Sequence, residues 1–90
     1  MGNELDVIIC DGIAILKDPQ VCSCLEFAFD HPDCDFIVEE IDGDLCRVFA
    51  FATSKLYEQN LVELYNREYS NREKFFIMKG MDAREVNSVD

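Results

Sequence analysis

Two groups of side chains in this 90-residue chain are of types that do chemistry. Cys22 and Cys24, with Cys34 or His31, offer a thiol or zinc site, and Glu39, Glu40, Asp42 and Asp44 offer carboxylate oxygens to a divalent cation. A helix is expected across Cys22 and Cys24. Residues two apart on a helix point about 200° away from each other, so both could not ligate one metal, and small apolar packing residues are the plainer reading. The acids fare no better. Glu39 and Glu40 fall on opposite faces of a strand, the spacing does not follow the calcium-loop pattern, and Asp42 belongs to a turn, so the group reads as a solvated rim.

A cysteine nucleophile needs a base, and the sole histidine stands beside a proline that ends a helix. All four glycines are isolated, so no loop cradles a phosphate. Lys and Arg do not cluster with aromatics, and Tyr57 and Tyr65 lie on a core stripe rather than on a stacking platform. No catalytic, cofactor-binding or metal-binding residue is therefore assigned. The chain reads as a non-enzyme.

Nineteen acids against eight bases give a formal charge of -11, which opposes the phosphate attraction that dominates nucleic-acid affinity. Protein partners are expected instead, with no direct nucleic-acid or membrane contact. Five cysteines without a Cys-x-x-Cys spacing, and no basic-then-apolar leader, point to a reducing compartment, cytosolic or nuclear. Ninety residues, nearly half apolar, suit one small domain.

The elements that would position these groups follow from turns and periodicity. Phe36 to Ile41 and Leu45 to Phe51 are strand-forming runs about Asp42-Gly43, a hairpin signature. Leu5 to Cys10 and Ile13 to Lys17 flank Asp11-Gly12 in the same way, which adds an N-terminal strand. Asp18-Pro19 reads as the cap and first position of a helix from Pro19 to about Phe29, with Val21, Cys24, Leu25 and Ala28 at i, i+3, i+4 and i+7. His31-Pro32-Asp33 ends it. Thr53 or Ser54 caps a second helix carrying Tyr57, Leu61, Leu64 and Tyr65 and ending near Tyr69. Phe75 to Met78 is a short apolar cluster between charged flanks, and Gly80 to Asp90 reads as a polar, mobile tail.

Strand, helix, strand, strand, helix in this order predicts an α+β domain over residues 1–72, with 73–90 as a C-terminal extension. A small antiparallel sheet of order 1-3-2, a split βαβ unit, would carry both helices on one face. Its first strand would leave an edge open for another sheet.

The run Gly12-Ile13-Ala14-Ile15-Leu16-Lys17-Asp18-Pro19, an apolar helix, and Phe36-Ile37-Val38-Glu39-Glu40-Ile41-Asp42 together resemble the smallest-subunit (TTDA) family of the transcription and repair factor TFIIH. The resemblance spans about residues 12–70, and Gly43-Asp44-Leu45 departs from the family's Asp-Thr-His. It implies a nuclear, non-catalytic subunit of the TFIIH core. Such a subunit pairs with the C-terminal domain of the subunit that anchors the XPB translocase, indirectly supporting XPB in nucleotide excision repair and transcription initiation, and forms a homodimer when isolated. On this reading Ile13, Ala14, Ile15, Leu16 and Lys17 are the partner-binding edge. Leu5 to Cys10 either covers that edge or prolongs the partner-bound strand. Two rival classes are a Cys/His zinc protein and an acidic adaptor or nucleic-acid mimic unrelated to TFIIH.

Overall fold

Asp11 and Gly12 both take positive φ, +54° and +78°, the conformation a type I′ connection requires. They join β1 (Val7–Cys10) to β2 (Ile13–Ser23) in an antiparallel hairpin that pairs Cys10 with Ile13 and Val7 with Leu16. The computed structural model describes residues 6–80. After β2 come α1 (Cys24–Asp30), β3 (Asp35–Asp42), β4 (Leu45–Ala52), α2 (Glu58–Glu68) and β5 (Phe75–Lys79). A single 3₁₀ turn, Lys55–Tyr57, leads into α2 and is capped by the Ser54 hydroxyl, which accepts from the Leu56 amide.

The strands form one antiparallel sheet of order β1-β2-β4-β3-β5. The α+β class, the antiparallel sheet, the additional N-terminal strand and the order of the three central strands are as the sequence predicts. The second hairpin turn sits one residue later than expected. Its centre is Gly43-Asp44, with positive φ at Gly43 and not at Asp44, the glycine-first pattern of a type II′ turn.

Alternation along β3 divides the interior in two. Phe36 and Val38 pack with Phe27, Ala28, Cys46 and Val48 beneath α1. Ile37 points the other way and packs with Ala50, Ala52 and Leu61 beneath α2. The two helices therefore lie on opposite faces, which corrects the expectation of a shared face. The cause is β5. The β2–α1–β3 unit steps over β4, and β4–α2–β5 steps over β3 toward the same edge while running in the opposite direction. Two crossovers of the same hand then place their helices on opposite faces.

Two further expectations change. The strand that contains Ile13 continues through Asp18 and Pro19 to Ser23, so the first helix begins at Cys24 rather than Pro19. Gln20 to Ser23 pair with Val48 to Leu45, after a register shift in which the β2 segment 16–19 bulges opposite Phe49. Pro19 sits in that bulge, where no ladder donor is required of it. The domain also extends past residue 72, because Phe75–Lys79 pairs with β3. Of the mobile tail expected from Gly80 to Asp90, Gly80 is held by its amide donating to the Cys34 carbonyl at 2.8 Å, and residues 81–90 lie outside the described residues.

A seven-residue helix is too short to persist alone, and α1 is fastened at its start. The Ser23 hydroxyl accepts from the Glu26 amide at 3.2 Å and donates to the Asp44 carboxylate. The Leu25 amide donates to Asp44 Oδ1 at 3.1 Å, and the Cys24 amide to the Asp44 carbonyl at 2.7 Å. The turn of one hairpin thus caps the helix that packs beside it.

The two hairpin glycines separate backbone strain from steric overlap. A Cβ on Gly12 would lie 2.1 Å from the Tyr57 ring, whereas one on Gly43 would meet nothing. Gly43→Ala should cost about 1 kcal/mol from positive φ alone, and Gly12→Ala about 2 kcal/mol or more. Urea unfolding of the two variants measures the difference; equal losses would contradict the close approach of Tyr57.

Candidate interaction edge

The chemical candidates are each taken up by the fold. Cys22 and Cys46 are cross-strand neighbours, and Cys24 is buried near them. Burial pushes the Cys22 and Cys46 thiols up, which keeps them protonated at neutral pH and unsuited to nucleophilic attack. Cys34 lies beyond the other end of α1, and burial raises its thiol as well. His31 stacks on Phe27 with ring centroids 4.3 Å apart, and its Nδ1 is 3.1 Å from the Phe27 carbonyl oxygen. Among the described residues no three His, Cys, Asp or Glu side chains surround a common point that could hold a metal ion.

The acids of the second hairpin disperse in the same way. Glu39 accepts from Arg47 across β3 and β4 at 2.7 Å on the α2 face, while Glu40 is exposed on the other side. Asp44 is a helix cap rather than part of a rim, a role hidden in the sequence because its partners, Ser23 and Leu25, are about twenty positions away. Tyr65 donates from its hydroxyl to the Phe75 carbonyl at 2.8 Å and packs with Tyr57 in the α2-side core.

With both sheet faces covered, the edges become the surfaces of interest. Ile13, Ala14 and Leu16 are buried, Ile15 is half-buried and Lys17 is exposed. All five lie on β2, with β4 on one side of Ile13 to Ile15 and β1 on the other side of Ile13 to Leu16. Of the two arrangements the sequence leaves open, the structure has β1 covering this strand. The border of the sheet is therefore β1, one strand further out than expected.

The outer side of β1 has a definite hydrogen-bonding pattern. A two-residue turn makes Cys10 and Ile13 a bonded pair, and strict alternation then makes Ile8 and Ile15 the next. The Lys17 amide donates to the Asp6 carbonyl at 3.0 Å, which continues the same alternation. The amides and carbonyls of Val7 and Ile9 consequently point away from β2. Among the described residues no strand takes them up.

This edge also lacks the usual protection. Val7-Ile8-Ile9-Cys10 contains neither proline nor charge, and Ile8 and Ile9 are 54% and 58% exposed. The opposite edge, β5, ends on Lys79 and is preceded by Lys74. The described helices give no membrane-spanning candidate, since none is long and apolar enough to cross a bilayer. Comparison with protein-family models, with curated proteins and with solved structures finds no match for this chain.

Asp35 is the one buried charged residue among those described, and desolvation raises its carboxyl pKa, with Lys79 at 3.6 Å opposing the rise and Glu58 adding to it. A raised folded pKa means the folded state holds the proton more tightly. Stability then falls as pH climbs from the ordinary value of 3.8 through the folded value, and the cost is fully present at neutral pH. Asp35→Asn should raise the thermal midpoint at pH 7, with the gain shrinking below the ordinary value; a lower midpoint at pH 7 would show that the Lys79 pair outweighs desolvation. For the helix cap, Asp44→Ala should cost about 1–2 kcal/mol, whereas exposed Glu40→Ala should stay within about 0.5 kcal/mol by urea unfolding.

Proposed function

We propose that this chain is a non-catalytic protein-interaction subunit that joins its partner by sheet extension along β1. The observation that carries the reading is the uncharged β1 edge, whose Val7 and Ile9 main-chain groups face outward between exposed isoleucines. An added strand would satisfy those groups in a ladder, and burial of Ile8 and Ile9 would contribute the apolar component. The net charge of -11 directs the same surface toward proteins rather than nucleic acid.

The resemblance over residues 12–70 nominates the assembly. We propose the TFIIH core, with the C-terminal domain of the XPB-anchoring subunit as the partner and the nucleus as the compartment. The chain's role there would be to stabilise the complex in nucleotide excision repair and transcription initiation, acting on XPB only through its anchor. The element order from Ile13 to Glu68 supports this reading.

The test is co-expression of the full chain with that C-terminal domain, followed by co-purification. Ile9→Pro removes an outward amide while leaving every β1–β2 bond intact, and Ile9→Thr keeps the amide. Both variants should fold with circular dichroism like the parent chain. Association is expected for the parent and Ile9→Thr and at least about tenfold weaker for Ile9→Pro. Retention of full binding by Ile9→Pro would rule out the edge, and failure of the parent chain to associate would rule out the TFIIH assignment.

A further inference from the structure

The turn Asp11-Gly12 and helix α2 enclose a groove of about 300 Å³ on the α2 face of the sheet, immediately beside the β1 edge. Its floor is Ile13 and Ile15 with Cys10, and Leu64 forms the helical wall. Ile8, paired with Ile15, lies on the same face and continues the apolar floor toward the edge. Asn60 fixes the wall by donating from Nδ2 to the Asp11 carbonyl at 2.9 Å.

The rim is acidic. Asp11 and Glu63 both line the groove, and among the described residues neither takes part in an ion pair. Arg67, the cation at the rim, is engaged by Glu68 at 3.2 Å. A strand added beside β1 must alternate its side chains between the two sheet faces, so every second one faces this groove. The local acids and the chain's charge of -11 then favour a cation at one such position.

We propose that the groove selects its partner strand. The occupant is an extended segment of another protein in which apolar residues alternate, one of them seated over Ile15 and Leu64, with a lysine or arginine placed to meet Asp11 and Glu63. A second copy of this chain is a poor occupant. Each copy brings a charge of -11, and the antiparallel register that joins the outward groups of Val7 in one copy to those of Ile9 in the other sets Asp6 opposite Cys10, one residue from Asp11, and brings no cation to the groove. This inference rests on the β1 docking reading, since only a strand added there presents alternate side chains to the groove.

The test uses a random dodecapeptide library displayed on phage and panned on the full chain at low and at physiological salt. Enriched peptides should show apolar alternation with at least one lysine or arginine and should bind more weakly as salt rises. Glu63→Lys should weaken an enriched peptide about tenfold or more, and exchanging that peptide's cation for glutamate should restore binding to the Glu63→Lys chain. Loss of binding in Ile9→Pro together with indifference to Glu63→Lys would overturn the groove and leave the edge standing. Binding that survives Ile9→Pro would overturn both. No enrichment, enriched peptides without a cation, or a self-associated dimer by sedimentation whose formation excludes peptide would each overturn the groove as a selector of basic strands.

Discussion

Phe36, Ile37 and Val38 are three successive residues with no solvent exposure, and the rest of the structure depends on burying them all. A strand sends neighbours to opposite faces, so one continuous apolar run demands cover on both sides. Burying each of these side chains contributes about 1.5–3 kcal/mol only if a second layer is present to exclude water. The chain meets that demand with α1 over Phe36 and Val38 and α2 over Ile37. Neither helix could do both.

This two-sided burial also constrains the edges. Once β5 has joined β3, the sheet can grow only beyond β5 or beyond β1. Both edge strands have an uncharged centre between charged flanks, Lys74 and Lys79 about β5 and Asp6 and Asp11 about β1, and β1 differs in that Ile8 and Ile9 are more than half exposed whereas Phe75 to Met78 are half-buried. The acidic rim that a cation might have used is spent on structure, with Glu39 held by Arg47 and Asp44 capping α1. The β1 edge and the groove beside it stay open.

Much of this was legible in the residues because it depended on local rules. Asp11-Gly12 announced a hairpin through its tolerance of positive φ, and His31-Pro32 marked the end of α1. Ser54 and the stripe of Tyr57, Leu61, Leu64 and Tyr65 marked the second helix. Asp18-Pro19 misled for a physical reason: cap and first-position preferences are local, whereas the continued pairing of Gln20–Ser23 with β4 is tertiary. Of the stripe read by helical spacing, Cys24 and Ala28 are buried as expected, whereas Val21 and Leu25 are exposed and Phe27 completes the buried face. The run Phe75 to Met78 was too short for periodicity to identify as a strand, and without β5 the opposite placement of the helices could not be deduced. The border of the sheet shifted from β2 to β1 because a hairpin signature shows that two strands pair without showing which becomes the border.

The central claim, that β1 presents an open ladder to a partner, is tested most directly by residue-resolved amide hydrogen exchange. In the isolated chain the Val7 and Ile9 amides should exchange far faster than those of Ile8 and Cys10, whose bonds run to β2. On addition of the C-terminal domain of the XPB-anchoring subunit, or of a peptide selected on the chain, Val7 and Ile9 should become protected while β5 is unchanged. Protection of Val7 and Ile9 already in the isolated monomer, or a bound partner that protects other amides and leaves these two exchanging freely, would contradict it.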